Sequence, residues 1–378
     1  MKKILFVTPR IPNPQKMAGG DDIFISLINY LSKFYIIDII SRVIPTDNPV
    51  WISNKTNKQV FIYKYKSSYI LIRKIQNVIS WIKFYQLVNK YSKHKVYKYV
   101  HFEWVDSILF ANIPKSLFTI LDTHDVKYLL MERKSEHSTN PLKKISSKFL
   151  KYFELKALEK ANLVLVKSEF DKQQFLQSNN HLEIKLLTCP LKQELIDNKW
   201  DINKSRKEIL FVGDMTREIN NQAIIQFYYR IWPHLRIDKK YLLKIVGSSP
   251  ADELIRISKN DSRVILTGFV KDLIQVYSEA RVFIAPQLIG GGIIVKVLDA
   301  LTFGIPTVCT TFSNQGLGAE NGKDLLVTDD PLQFANNIQT LINDPELCSK
   351  LSASGRKYVL NKFNFQKELD DIYQPIVK

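Results

Sequence analysis

Two groups of residues in this chain have side chains suited to gripping an anion or moving a proton. The first lies in RVFIAPQLIGGGIIVKVLDALTFGIPTV, residues 281–308. Gly290, Gly291 and Gly292 would let a ligand approach the backbone, and the start of a helix behind them would offer free N–H groups to an anion. Lys296 and Asp299 are three residues apart on that helix and are expected on one side of it. A cation there suits a phosphate, and a carboxylate suits sugar hydroxyls. The bland alternative is a surface ion pair worth at most about 1 kcal/mol. The second group is Asp122-Thr123-His124-Asp125, with Glu103 and Trp104 upstream. His124 suits proton transfer or a hydrogen bond to a hydroxyl. Alternatively it is a structural histidine, with Asp122 and Asp125 as turn and cap residues. None of the other histidines lies at ligand spacing from it, so no metal is expected.

The elements that must position these groups follow from the apolar runs. Residues 282–285 read as a buried strand closed by Pro286, the helix after the glycines ends at Gly304 and Pro306, and 305–309 is the next strand. Strand, glycine loop, helix, strand is a parallel crossover unit, whose ligand crevice lies at the carboxyl ends of the strands. Further strands are expected at 3–9, 34–41, 60–65, 100–102, 118–121, 162–167 and 184–188, then at 209–212, 241–246, 264–267 and 325–327. Gly19 and Gly20 follow the first of these, and Gly213 opens the loop after 209–212, so each is a candidate for close approach to a ligand or merely turns the chain. The alternation breaks in the polar stretch KQELIDNKWDINKSRKE. The expected organisation is a first domain at 1–191, a linker at 192–207, a second domain at 208–362 and a last helix at 363–378 that crosses back to the first domain. The fold class is α/β, two tandem Rossmann-like doubly wound domains facing across a cleft.

Composition limits the function classes. The chain has 378 residues, 45% hydrophobic and 24% charged, as in a soluble globular protein of two domains. No apolar run is long enough to span a bilayer, and the first residues are too short an apolar segment for a signal peptide, so the cytoplasm is the expected compartment. Cys189, Cys309 and Cys348 are too few and too scattered for a disulfide framework or a zinc site and are expected to be ordinary thiols. Charge is uneven. Residues 201–378 hold 22 Lys+Arg against 20 Asp+Glu, and subtracting these from totals of 54 and 37 leaves 32 against 17 for residues 1–200. No acidic residue occurs from Asn48 to Phe102. Such a half suits an anionic surface, membrane or nucleic acid. Within it, residues 67–95 carry Ile75, Val78, Ile79, Ile82 and Leu87 at helical spacing among Arg73, Lys74, Lys83 and Lys90. The apolar stripe is expected to pack on the sheet, leaving a basic face that is either simply solvated or in contact with an anionic membrane.

The ordered series FVGDMTREINNQAIIQF, YLLKIVGSSP, VILTGFVKDLIQVYSEARVFIAPQLIGGGIIVKVLDALTFGIPTV and DLLVTDDPLQFANNIQTLIND resembles the bacterial family 4 (group 1) retaining glycosyltransferases of the GT-B fold. The resemblance covers residues 205–362 and continues more loosely through TPRIP, Gly19-Gly20 and the HDV segment at His124. It implies a nucleotide-sugar donor on the second domain, a glycan or lipid-linked acceptor on the first, transfer with retention, and no metal or other cofactor. Cell-envelope polysaccharide synthesis is the implied setting, at the inner face of the plasma membrane, without nucleic acid as a partner.

The family's ribose-binding glutamate falls on Asp299, and its other acid falls on Gly291 and is missing. Lys296 is then the phosphate contact, with Arg217 near the donor diphosphate, Val270 near the base, and Gly213 and Gly290–Gly292 beside the donor. Gly19, Gly20, Glu103, Asp122 and His124 fall on the acceptor side, and His124, Lys296 and Arg217 are the expected catalytic residues. Other readings of the same pattern are a GT-B nucleotide-sugar epimerase, an inactive GT-B scaffold and a basic nucleic-acid-binding protein.

Overall fold

The computed structural model describes residues 2–12, 21–43, 50–64, 69–136, 141–289 and 291–377, arranged as two units. The first unit comprises Met1–Pro190 and Phe365–Lys378, and the second Leu191–Asn364.

In the first unit seven strands form one parallel sheet: β1 (Lys2–Thr8), β2 (Tyr35–Val43), β3 (Lys58–Tyr63), β4 (Tyr97–Glu103), β5 (Phe118–Asp122), β6 (Leu163–Val166) and β7 (Ile184–Leu186). Their order is β3-β2-β1-β4-β5-β6-β7, so the direction of winding reverses between β1 and β4. A strand buried on both faces needs an almost continuous apolar run. Ile4, Leu5, Phe6 and Val7 in β1 and Leu163, Val164, Leu165 and Val166 in β6 meet that need, and all are buried. β4 breaks the rule with His101 and Glu103, both fully buried, which marks it as more than scaffold.

The helix Phe365–Val377 completes this unit. Its Glu368 accepts hydrogen bonds from the backbone N–H and hydroxyl of Thr188 (2.7 and 2.9 Å), its Asp370 accepts one from the Tyr30 hydroxyl (2.7 Å), and Tyr373 is buried against β4.

The second unit repeats the plan with β8 (Glu208–Val212), β9 (Leu242–Val246), β10 (Val264–Gly268), β11 (Val282–Ala285), β12 (Thr307–Cys309) and β13 (Leu326–Val327), in the order β10-β9-β8-β11-β12-β13. Its reversal lies between β8 and β11. Both units are thus Rossmann-like parallel sheets flanked by helices, the GT-B architecture.

Residues 192–207 are not a free linker. They belong to the second unit, where the Trp200 indole N–H donates to the Ala280 carbonyl (2.7 Å) and Leu195 is buried. Arg356 fastens the same stretch by donating to the carbonyls of Leu195, Ile196 and Asn198. None of the three cysteines is in a disulfide, and all are buried.

The expectation that the apolar stripe of residues 67–95 packs on the sheet is overturned. The helix Ile70–Tyr91 forms, but it buries Ser80, Phe84 and Val88; of the stripe Leu87 packs against the core, while Ile75, Val78, Ile79 and Ile82 are exposed. Helical spacing reveals that a stripe exists, not which way it faces.

Candidate functional site

The donor-side candidates gather where the second sheet reverses its winding. β8 ends at Val212 and is followed by Gly213, Asp214, Met215, Thr216 and the helix Glu218–Arg230. β11 ends at Ala285, and the chain reaches the helix Val295–Phe303 through Gln287, Gly291 and Gly292. Lys296, in the first turn of that helix, sends its amine back across to the β8 loop and donates to the side-chain carbonyl of Asn220 (2.7 Å). The amine also sits over the Phe211 ring, 4.3 Å from its centroid. A side chain at Gly213 would crowd this contact: its Cβ would come 2.9 Å from Lys296 Nζ and 3.2 Å from the Asn220 amide nitrogen, so the lysine amine would have to shift. The neighbouring backbone is equally tight, since a Cβ on Gly247 would lie 1.8 Å from the Gly213 carbonyl oxygen.

Asn220 holds its place by donating to the Asp214 carbonyl (2.7 Å), and Asn221 by accepting from the Ala251 N–H (2.8 Å). Burial and the nearby Arg217 push the Lys296 amine down to about 7, against a smaller opposing pull from Asp214. Its hydrogen bond goes to a neutral amide, and Arg217 is exposed at the helix entrance. A half-buried amine bonded to a neutral amide and facing Arg217 is chemically suited to an anion.

The other donor-side expectations fare unevenly. Gly290 lies outside the described residues. Gly291 and Gly292 are described, and Gly292 has φ 65°, a backbone conformation that favours glycine. The helix behind the glycines begins at Val295. Lys296 and Asp299 do not share a partner: the Asp299 carboxylate accepts from Lys192 (2.7 Å), whereas Lys296 turns to Asn220. They are therefore not a mutual ion pair. Val270 follows β10, at the sheet edge two strands from β8. Gln287 escaped the sequence reading. It is buried directly after β11, its carbonyl oxygen accepts from the Ser313 hydroxyl (3.2 Å), and its amide nitrogen has no partner among the described residues. A glutamine after a proline carries no signal of its own; only burial exposes it.

In the first unit the second group assembles from the ends of β4 and β5, which pair in parallel with Glu103 opposite Asp122. Glu103 accepts from two imidazoles: His101 Nε2 at 3.0 Å and His124 Nε2 at a closer approach. Burial alone would raise the Glu103 carboxyl, but the charges and hydrogen bonds of His124 and His101 hold it well below the ordinary range. The Tyr373 hydroxyl lies 2.9 Å from His101 Nδ1. Burial pushes that phenol well above its ordinary value, so it keeps its proton and can donate it to Nδ1. Asp122 accepts from the Lys167 amine (2.6 Å) and from the His124 N–H (3.3 Å).

His124 has φ 62° and Trp104 φ 61°, left-handed conformations that cost side-chain-bearing residues energy. The two rings stack at 4.1 Å, and Arg10 lies 4.8 Å over the other ring system, Trp104. Arg10 in turn pairs with Asp21 (2.8 Å) at the start of the helix Asp21–Leu31. Strained backbone, stacking and a buried carboxylate thus converge to aim one imidazole. The ligand atoms of His101, Glu103 and Asp122 lie within 4.8 Å of one another, the spacing a metal ion would require, yet Lys167 already places a cation on Asp122. His124 is therefore not the lone histidine its sequence surroundings suggest. Gly19 and Gly20 lie outside the described residues.

Each unit is Rossmann-like, the second with the Lys296 amine at its winding reversal and the first with a carboxylate-held histidine, and this pair of units is the GT-B fold. The family Glycosyl transferases group 1 matches residues 206–344. A curated relative is the capsular polysaccharide biosynthesis glycosyltransferase CapM of Staphylococcus aureus, 26% identical over 259 residues that cover 61% of this chain and 67% of CapM. Among solved structures, sucrose-phosphate synthase of Thermosynechococcus elongatus superposes with a TM-score of 0.75 at 17% identity, covering 99% of this chain and 98% of that one. Anabaena Alr3699/HepE in complex with UDP and glucose superposes with a TM-score of 0.70 at 14% identity, over 100% and 99% of the two chains.

Proposed function

We propose that this enzyme moves a sugar from a nucleoside-diphosphate donor, bound at the β8–β11 end of the second unit, to a glycan or lipid-linked acceptor bound by the first. The setting is cell-envelope polysaccharide synthesis on the inner face of the plasma membrane, and the anomeric configuration is retained. The observation that carries the reading is Lys296: an amine driven down by burial and Arg217, tethered to an amide, in the crevice position of a parallel sheet. CapM supplies the polysaccharide context and the HepE complex the nucleotide.

In the transfer, the bond from the anomeric carbon to the diphosphate oxygen breaks, and the acceptor hydroxyl forms a bond to that carbon from the same face. The departing phosphate oxygen takes the hydroxyl proton. Lys296 and Arg217 stabilise the charge that grows on the diphosphate, with no need to reorganise. His124, held by Glu103, orients the sugar or the acceptor hydroxyl. Asp299 accepts hydrogen bonds from donor hydroxyls once it exchanges some of its contact with Lys192.

A thermal-shift panel of nucleoside diphosphates and nucleotide sugars tests the donor half, because a bound ligand raises the melting temperature by mass action. The expected result is stabilisation of the wild type and little or none of Lys296→Ala. If no nucleoside diphosphate or nucleotide sugar stabilises the wild type, the reading is wrong. Product anomeric configuration, read by NMR, decides between retention and inversion.

A further inference from the structure

We propose that the outward side of the helix Ile70–Tyr91 is a membrane-docking face that enters an anionic phospholipid bilayer. Counting about 100° per residue, Leu71, Ile75, Val78 and Ile82 fall within an arc of about 60°, opposite the side on which Ser80 and Phe84 are buried. These four, with Ile79, are between 44% and 71% exposed. A residue on the far side of a helix from its sheet is not available to this unit's core, so the arc has no packing role within it. The arc is also too long and continuous for the scattered apolar residues of an ordinary surface.

Three further observations select the occupant. Lys74 lies along one edge of the arc and Lys83 along the other, both exposed, where long side chains reach lipid phosphates while the isoleucines sink between acyl chains. The helix contains no acid, and neither does the sequence from Asn48 to Phe102. Two copies of such a face would repel each other, whereas an anionic leaflet would attract it. Finally, Val78 and Ile82 also line an open, mainly apolar groove of about 770 Å³ with Trp81, Tyr85, Leu109 and Phe110, the polar Gln86 and Asn89, and Asp106, whose charge is paired with Lys127; Phe110 is itself 63% exposed. The apolar surface therefore continues beyond the helix as a recess able to accept part of an acyl chain. No helix among the described residues is long and apolar enough to cross a membrane, so the contact is one of lying on the bilayer rather than spanning it.

The test is co-sedimentation of the full chain with vesicles of phosphatidylglycerol and phosphatidylcholine in equal parts, against phosphatidylcholine alone, at physiological salt. The expected result is binding to the mixed vesicles and at least tenfold weaker binding to phosphatidylcholine. The variant Ile75→Ser/Val78→Ser/Ile82→Ser, at exposed positions, should bind mixed vesicles at least tenfold more weakly with an unchanged melting temperature. Lys74→Gln and Lys83→Gln should each weaken binding by about fivefold. Three outcomes would overturn the proposal: no binding by the wild type, binding by the triple variant equal to wild type, or a wild-type dimer that the triple variant converts to monomer. Nucleoside-diphosphate thermal shifts on the same samples keep this separate from the catalytic reading, which can fail while vesicle binding persists.

Discussion

If Lys296 receives the donor diphosphate, binding must take up a proton. In the free protein the amine titrates near 7, because burial and Arg217 oppose its charge. A diphosphate placed against it reverses that balance and returns the amine toward its ordinary range. The sign follows: below about pH 7 the amine is already charged and binding costs no protonation, whereas at higher pH each unit adds a factor of ten until the bound-state value is reached. Between pH 7 and 9 the affinity for UDP should thus fall by about fiftyfold, about 2.3 kcal/mol. Isothermal titration calorimetry in two buffers of different ionisation enthalpy counts the proton directly. Measurements above pH 7 avoid the phosphate's own last ionisation, near 6. Lys296→Met should bind weakly, take up no proton at pH 8.5 and show a flat pH profile. Equal proton uptake by wild type and Lys296→Met, or a wild-type affinity that does not change from pH 7 to 9, would refute the assignment of Lys296 to the diphosphate.

Other outcomes follow from the same geometry. Glu103→Gln leaves two buried imidazoles without their shared negative charge, and transfer should drop by about 10²–10⁴-fold in a sugar-transfer assay. Its melting temperature should also fall, because breaking a buried charged cluster costs about 3–5 kcal/mol. Tyr373→Phe removes one hydrogen bond from His101, so stability should drop by only about 1 kcal/mol while the pH profile of turnover shifts. An unchanged pH profile would leave Tyr373 with a packing role alone. Gly247→Ala forces a methyl into the Gly213 carbonyl and should unfold the second unit at a clearly lower temperature, seen by calorimetry. Asp299→Asn should leave stability nearly unchanged, since its Lys192 partner is about one-third exposed, but should weaken nucleotide-sugar binding more than UDP binding if the carboxylate reads donor hydroxyls.

The second sheet was largely legible. Its strand at 282–285 is an unbroken apolar run punctuated by proline, and Gly304, at φ 91°, ends the following helix where a left-handed residue was needed. The crevice position of Lys296 follows from that reading. Its partner does not, because Asn220 reaches it across a distance in sequence that only the adjacency of β8 and β11 closes. The same holds for Glu103 and His124, which meet because β4 and β5 run in register, and for Tyr373, which arrives on the last helix. Residues 192–207 misled for a different reason: a stretch without periodicity can still be anchored by one indole and one leucine. The helix Ile70–Tyr91 misled because an apolar stripe has the same spacing whether it faces a sheet or the outside.

The helix Phe365–Val377 has a consequence for how the molecule comes into being. Its Glu368, Asp370 and Tyr373 tie to Thr188, Tyr30 and His101, residues that leave the ribosome long before it does. The entire second unit is synthesised in between, so the first sheet must wait with His101 lacking its phenol partner while its neighbour folds. Nascent chains stalled short of this helix should therefore hold the amino-terminal half in a looser, protease-sensitive state, and the aimed imidazole would be set only at the end of translation.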